Sequence, residues 1–241
     1  MSERLLPAAI APCDVLVIAP HPDDAEIFCG GTLLRLRDAG KRIGILDLTR
    51  GEAGSRGTAD ERDLEAAEAS RRLDLAWRAN LGLPDTAIED IVPLRRLIAA
   101  CIRRSRASIL FGPDASDYHP DHVAAAQLVA AAWFLAGVGG APIKETPHRP
   151  QRYLRYLGNL PIDAQLLIDI TPVWERKVEV VRAYVSQLDL PGRSGSHFLQ
   201  GTDILGRMSA RAVHFGLLGG VRYAEPFRAD RPYLLDPIGL D

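Results

Sequence analysis

The sequence predicts an α/β fold, Rossmann-like, with a mainly parallel sheet flanked by helices and a metal-type site at the C-terminal edge of the strands. Three observations lead there. Short apolar runs of strand length, Val15 to Ala19, Arg42 to Thr49 and Ser108 to Phe111, alternate with segments of helical composition. That alternation implies right-handed crossovers between parallel neighbours. Two polar clusters, His21-Pro22-Asp23-Asp24 and His119-Pro120-Asp121-His122, follow the first and third of these runs. In an open parallel sheet ligands gather beyond the carboxyl ends of the strands, which would bring both clusters to one crevice.

Each element has its own reason. Residues 25–39 read as a helix, and Gly40 is placed to end it because glycine takes the left-handed cap conformation at little cost. The glycine-rich segment 51–58 has neither the spacing of a dinucleotide turn nor a following GK[ST], so it reads as the rim of a site. Residues 59–73 are rich in Ala, Glu, Leu and Arg, all strong helix formers. Asn80 to Leu83 reads as a short strand and Pro84-Asp85 as a turn. Ile91, Leu94, Ile98, Cys101 and Ile102 share one helical face, the best-defined periodicity in the chain. An Ala-rich helix spans 121–135, and a Gly/Pro loop 137–150. Two strands are expected over 153–159 and 165–170. Pro172 suits the first turn of a helix burying Trp174, Val178, Val181, Val185 and Leu188. Residues 189–201 read as a mobile loop, 203–218 as a last helix, and 223–227 as extended chain. The part from about 151 completes the sheet and the pocket of a single domain, 1–241.

Composition bounds the partners. With 241 residues, 47% of them hydrophobic, the chain can bury one sizeable core. Its formal charge of −2 comes without a run of one sign, which argues against nucleic acid or an anionic membrane surface. No stretch approaches the roughly 20 apolar residues that cross a bilayer, and the start, broken by Pro7, Pro12 and Asp14, is no signal peptide. Cys13, Cys29 and Cys101 form no CxxC pair, which suits reduced thiols and a cytoplasmic setting.

The clusters carry the chemistry. A catalytic zinc site uses three protein ligands and leaves a position for water. His21 and Asp24 stand three apart, as do His119 and His122, and in a turn entering a helix that spacing lets two side chains lean to one centre. Asp23 and Asp24 are adjacent and point in different directions, so one can bind metal while its neighbour acts as a base; spacing does not say which. Aspartates after strands are also common helix N-caps, a reading that applies to Asp23, Asp24 and above all Asp121. Hydrolysis is the reaction class these groups suit.

Strand-Ala19-Pro20-His21-Pro22-Asp23-Asp24 before a helix, with the later His119-Pro120-Asp121-His122, resembles the PIG-L/LmbE family of metal-dependent de-N-acetylases. Residues 47–52, 57–62 and 83–85 resemble further landmarks of that family. Asp24-Ala25-Glu26, residues 184–187 and residues 220–227 are similar to its bacillithiol-biosynthesis branch. The resemblance implies roles. His21, Asp24 and His122 would bind Zn2+, with Fe2+, Mn2+ or Co2+ as other metals such ligands suit. Asp23 would be the general base, and His119, cationic or hydrogen-bonding, would stabilise the tetrahedral oxyanion, oriented by Asp121. Arg62 and Asp85 would hold the substrate, a small-molecule glycoside. It implies N-acetylglucosaminyl malate as that substrate, cut to glucosaminyl malate and acetate, and a homo-oligomer such as a hexamer. The chain departs from the pattern at Pro20, where a small residue is usual, and at Tyr118, where the bacillithiol branch often has arginine.

By residue type alone, Arg62 also reads as a solvated helix residue paired with a neighbouring glutamate, and Asp85 as a turn residue. Rival functions are a metal phosphoesterase, an amidase of the same family acting on another N-acyl glucosaminide or thiol conjugate, and an inactive sugar-binding module. A phosphoesterase needs a second metal or phosphate clamp, for which no ligand set is present in the sequence. A nicotinamide dehydrogenase is disfavoured because the first strand leads to His-Pro-Asp-Asp rather than a glycine-rich turn.

Overall fold

A computed structural model describes residues 6–160, 163–188 and 203–232. The expected loop over 189–201 lies outside the described residues. Seven strands form one sheet: β1 (Val15–Ala19), β2 (Ile43–Thr49), β3 (Trp77–Leu83), β4 (Ile109–Pro113), β5 (Arg152–Tyr156), β6 (Leu166–Asp169) and β7 (Ala224–Ala229). Between them run α1 (Asp24–Asp38), α2 (Ala59–Leu73), α3 (Val92–Ser105), α4 (Pro120–Ala136), α5 (Trp174–Val181) and α6 (Ile204–Gly219). No helix of the described residues is long and apolar enough to cross a membrane.

The sheet order is β3-β2-β1-β4-β5-β7-β6. Val15 pairs with Ile43 on one side of β1 and with Ile109 on the other, both in parallel. The chain therefore builds outward from β1 through β2 to β3, then returns to the far side of β1 as β4. That reversal places a topological switch point between the carboxyl ends of β1 and β4, where open parallel sheets bind their ligands. Both His-Pro-Asp clusters start there.

β1 and β2 are buried along their whole length, so β1 is a continuous apolar run rather than an alternating one, and β2 departs from one chiefly at the buried Asp47. Val15 and Val17 pack toward α1, α2, α5 and α6, while Leu16 and Ile18 pack toward α3 and α4. Helices thus cover both faces. α2 starts on a capping box, in which Thr58 accepts from the Glu61 N–H at 3.2 Å and the Glu61 carboxylate accepts from the Thr58 N–H at 2.8 Å.

The structure differs from the sequence-based expectation in three places. β3 begins at Trp77 rather than Asn80, because Arg78 sits inside the sheet edge with its charge neutralised. Its guanidinium donates to both Asp47 oxygens, at 2.6 and 2.9 Å, and to Glu26 at 2.6 Å. A strand carrying a paired, buried arginine does not look apolar. The helix expected through Leu188 stops at Val181, and Val185 is exposed. Tertiary bonds draw the chain out of the helix there: Tyr184 donates its hydroxyl to Glu26 at 3.1 Å, and Ser186 gives N–H and hydroxyl to Glu65 at 2.6 and 2.7 Å. The extended chain at 223–227 proves to be β7, antiparallel to both β5 and β6.

Candidate metal and hydrolytic site

The β1–α1 turn and the start of α4 bring His21, Asp24 and His122 together. One donor atom from each lies within 4.8 Å of the others, and all three residues are buried. Asp24 is central. Its Oδ2 is 3.1 Å from His21 Nδ1 and accepts from the His21 N–H at 3.0 Å, while its Oδ1 is 3.3 Å from His122 Nε2.

Each imidazole is held from behind through its other nitrogen. His21 Nε2 lies 3.2 Å from Asp121 Oδ2 and 3.1 Å from Asp85 Oδ1. His122 Nδ1 lies 2.9 Å from Asp117 Oδ2. Such carboxylates fix the tautomer and aim the opposite nitrogen. This corrects the expected partner of Asp121: its side chain holds His21, not His119, and is itself fixed by the Thr86 and Ile88 N–H groups at 2.7 and 3.3 Å. Nor is its carboxylate a helix cap. His119 occupies the N-cap of α4, where its Nδ1 accepts from the Asp121 N–H at 3.2 Å.

Asp117 was missed in the sequence, where only its place five residues before His122 marks it. Its side chain is fully buried. It accepts from the N–H groups of His119 at 3.0 Å and Asn159 at 2.9 Å, and a Cβ on Gly158 would overlap its Oδ2. Substituting Asn for Asp117 is expected to weaken metal affinity by about 10–100-fold, measurable by competition with a chelating dye.

Asp23 stands at the N-cap of α1 but makes no capping bond, and its φ of 109° turns it away from Asp24. Arg62 Nη2 sits 2.9 Å from its Oδ2 and also donates to the Pro22 carbonyl. Burial pushes the Asp23 carboxyl up to about 7, against the pull of Arg62. Arg62 is thus buried and engaged rather than solvated. Asp85 is engaged as well, its Oδ2 accepting from the Ala53 N–H at 2.8 Å. For His119, burial and the neighbouring His122 and His21 rings hold the pKa below its ordinary value. With Nδ1 an acceptor, the neutral ring carries its proton on Nε2, which favours the hydrogen-bonding form over the cationic one.

These groups open onto a cavity of about 550 Å³. Its walls include the 53–56 loop, Tyr118, Asn159, and one face of α6. Pro20 sits in a tethered ligand turn, its carbonyl accepting from both the N–H and the hydroxyl of Thr49 at 3.0 Å.

The donor set fits a divalent cation: two imidazoles and one carboxylate, with each ring braced by a second-layer carboxylate. Without the cation, charge balance is kept by protons. Burial alone would lower both histidines, but Asp121, Asp24 and Asp85 hold His21 well above its ordinary value, and Asp24 and Asp117 raise His122 to about 9. Those protons compete with a metal. Below about pH 9, affinity is therefore expected to fall by up to about tenfold per pH unit for each proton displaced, with proton release visible by calorimetry in buffers of different ionisation enthalpy. Uptake without proton release would contradict these couplings.

Fold and donor set together define a class, a hydrolase with a His/Asp metal site at the switch point of a Rossmann-like sheet. Comparison with known proteins narrows it. Residues 16–133 match the family model described as PIG-L: GlcNAc-PI de-N-acetylase. Over its length the chain is similar to a diacetylchitobiose deacetylase of Thermococcus kodakarensis, 31% identical over 89% of this chain and 82% of that one. A solved structure, that of a conserved protein from Thermus thermophilus, is 43% identical with a TM-score of 0.84, covering 93% of this chain and 98% of that one. A shorter match, 31% identical over 49% of this chain and 58% of the other, is to a Bacillus anthracis protein described as "Probable N-acetyl-alpha-D-glucosaminyl L-malate deacetylase 2". The chain belongs to the PIG-L family of N-deacetylases, hydrolases that act on amide bonds.

Proposed function

We propose that this chain is a zinc-dependent N-deacetylase of N-acetylglucosaminides, with N-acetylglucosaminyl malate as its favoured substrate, yielding glucosaminyl malate and acetate on the route to bacillithiol. The observation that carries the reading is the gathering of His21, Asp24 and His122 with Asp23 beside them and outside the donor group. A divalent cation bound there supplies Lewis acidity and lowers the pKa of water from roughly 15.7 to about 7. Asp23 accepts the proton of the attacking water and returns it to the departing amine. Arg62 keeps that carboxylate aimed into the cavity, a positioning role in place of open substrate contact. His119 donates its Nε2–H to the oxyanion as the acyl carbon becomes tetrahedral. Asp121, Asp85 and Asp117 act through the histidines they brace.

The malyl aglycone is supported by the B. anthracis relative and by a cavity wall that includes Arg56, Arg207 and Arg211. A second reading, diacetylchitobiose as substrate, is favoured by the longer match to the T. kodakarensis protein. Acetate release by the zinc-loaded protein separates them. The highest kcat/KM is expected for N-acetylglucosaminyl malate, ahead of diacetylchitobiose and N-acetylglucosaminyl inositol. Equal rates on all three would remove the malate assignment, and no acetate from any would remove the deacetylase reading itself.

A further inference from the structure

We propose that Arg207 is the specificity-determining residue for the aglycone, its guanidinium pairing with a carboxylate that the substrate carries beyond the sugar. The proposal rests on the deacetylase reading and deepens it. α6 turns Ile204, Arg207, Met208, Arg211 and His214 toward the cavity, a spacing that puts them on one helical face. Most of that face is apolar or already engaged. Arg211 donates to the carbonyls of Leu157 and Gly158, and its guanidinium lies over the rings of Phe28 at 5.4 Å and Phe215 at 5.6 Å.

Arg207 differs. It is half-buried, and among the described residues its guanidinium makes no hydrogen bond or ion pair. Arg211 lies within its electrostatic reach: burial pushes Arg211 down to about 10 against the pull of Glu225 and Asp117, and the charge of Arg207 adds to the fall. Two guanidinium groups thus share a partly dehydrated wall, and Arg207 has no counter-ion among the described residues. A charge withdrawn from water without a partner is costly, and a planar carboxylate received bidentately relieves it. Arginine suits that geometry better than lysine.

The placement also suits an aglycone. Phe28 bridges Arg211 to the metal pole, its ring centroid 6.0 Å from that of His122. Arg207 lies one turn earlier on α6, about 6 Å of helix rise further along the same wall. An acetamide held at His21, Asp24 and His122 therefore leaves the neighbouring glycosidic substituent to run along α6. A neutral second sugar gains nothing charged there, whereas an acid does.

The test compares wild type, Arg207→Gln and Arg207→Lys, all zinc-loaded, on N-acetylglucosaminyl malate and diacetylchitobiose. In Arg207→Gln the ratio of kcat/KM for the malyl to the neutral substrate is expected to fall by about tenfold or more, chiefly through KM, with partial recovery in Arg207→Lys. Titration with free L-malate gives a readout independent of turnover: wild type binds it, and Arg207→Gln binds it about tenfold more weakly or not at all. An unchanged substrate ratio, or malate binding equal in both proteins, overturns the role of Arg207. No acetate from either substrate in wild type instead sinks the deacetylase reading, and the malate titration then decides Arg207 alone.

Discussion

Replacing Asp23 with asparagine is expected to lower kcat by about 10²–10⁴-fold while metal content stays at the wild-type level. The expectation comes from geometry. Asp23 lies outside the set formed by His21, Asp24 and His122, so its loss removes a proton acceptor and no donor. Asparagine is the informative replacement because it keeps the volume and tolerates the positive φ of 109°, which alanine does not. It also keeps an oxygen for Arg62, 2.9 Å away in the wild type, so the turn is not released. Acetate release and metal analysis on the same preparation check the result. A loss smaller than about tenfold would move the general base to another group.

The pH profile should carry the same signature. An ordinary aspartate has a pKa of 3.8, and burial lifts Asp23 to about 7, while a cation in the adjoining site pulls it back. The base is active only when deprotonated, so kcat/KM falls as pH drops through a limb lying between those two values. A limb above that window would show that the titrating base is not Asp23.

The second large effect concerns stability. Glu225 and Lys177 form an ion pair in the core, each side chain 2% exposed, that clamps the middle of α1. Glu225 accepts from the N–H groups of Gly31 and Thr32 at 2.8 and 2.7 Å and from the Thr32 hydroxyl at 2.6 Å. Lys177 gives a further bond to the Ile27 carbonyl at 2.8 Å. Gly31 also lets Ile170 pack against α1, since a Cβ there would fall 2.7 Å from Ile170 Cγ2. Changing Glu225 to glutamine leaves a buried ammonium without its counter-charge, a cost of about 3–5 kcal/mol. For a chain of this size that lowers Tm by roughly 6–20 °C. The double variant with Lys177→Met should recover part of the loss, because it removes both charges together. Equal Tm values for wild type and Glu225→Gln would show that the pair is not coupled to folding. Because α1 begins at Asp24 and carries Phe28 into the cavity, the single variant should also lose metal affinity before it unfolds.

The Glu225–Lys177 pair shows where sequence reading stopped. Residues 220–227 stood out as a motif, yet nothing local in them says that Glu225 reaches α1, nearly two hundred positions earlier. Asp121 and Arg78 behave alike. Each is a charged residue whose meaning depends on a partner from another loop or strand, as when His21 meets Asp121 across a separation of 100 residues. Arg207 gave no signal at all, because a lone arginine on a helix reads as solvated until the cavity beside it is known. In the opposite direction, α2 follows the expected 59–73, and the strand before His21 runs from Val15 to Ala19 as read.

What the amino-acid order determined by itself was therefore local: which segments are strands and helices, and that two His-Pro-Asp turns follow strands. Burial pattern and helix composition depend on near neighbours, and near neighbours are written consecutively. The tertiary structure alone decided which carboxylate braces which imidazole, that Arg62 faces Asp23, and which arginines of α6 line the cavity. Those are matters of charge separation over a few ångströms, set by the switch point between β1 and β4 and by the packing of α6 across it.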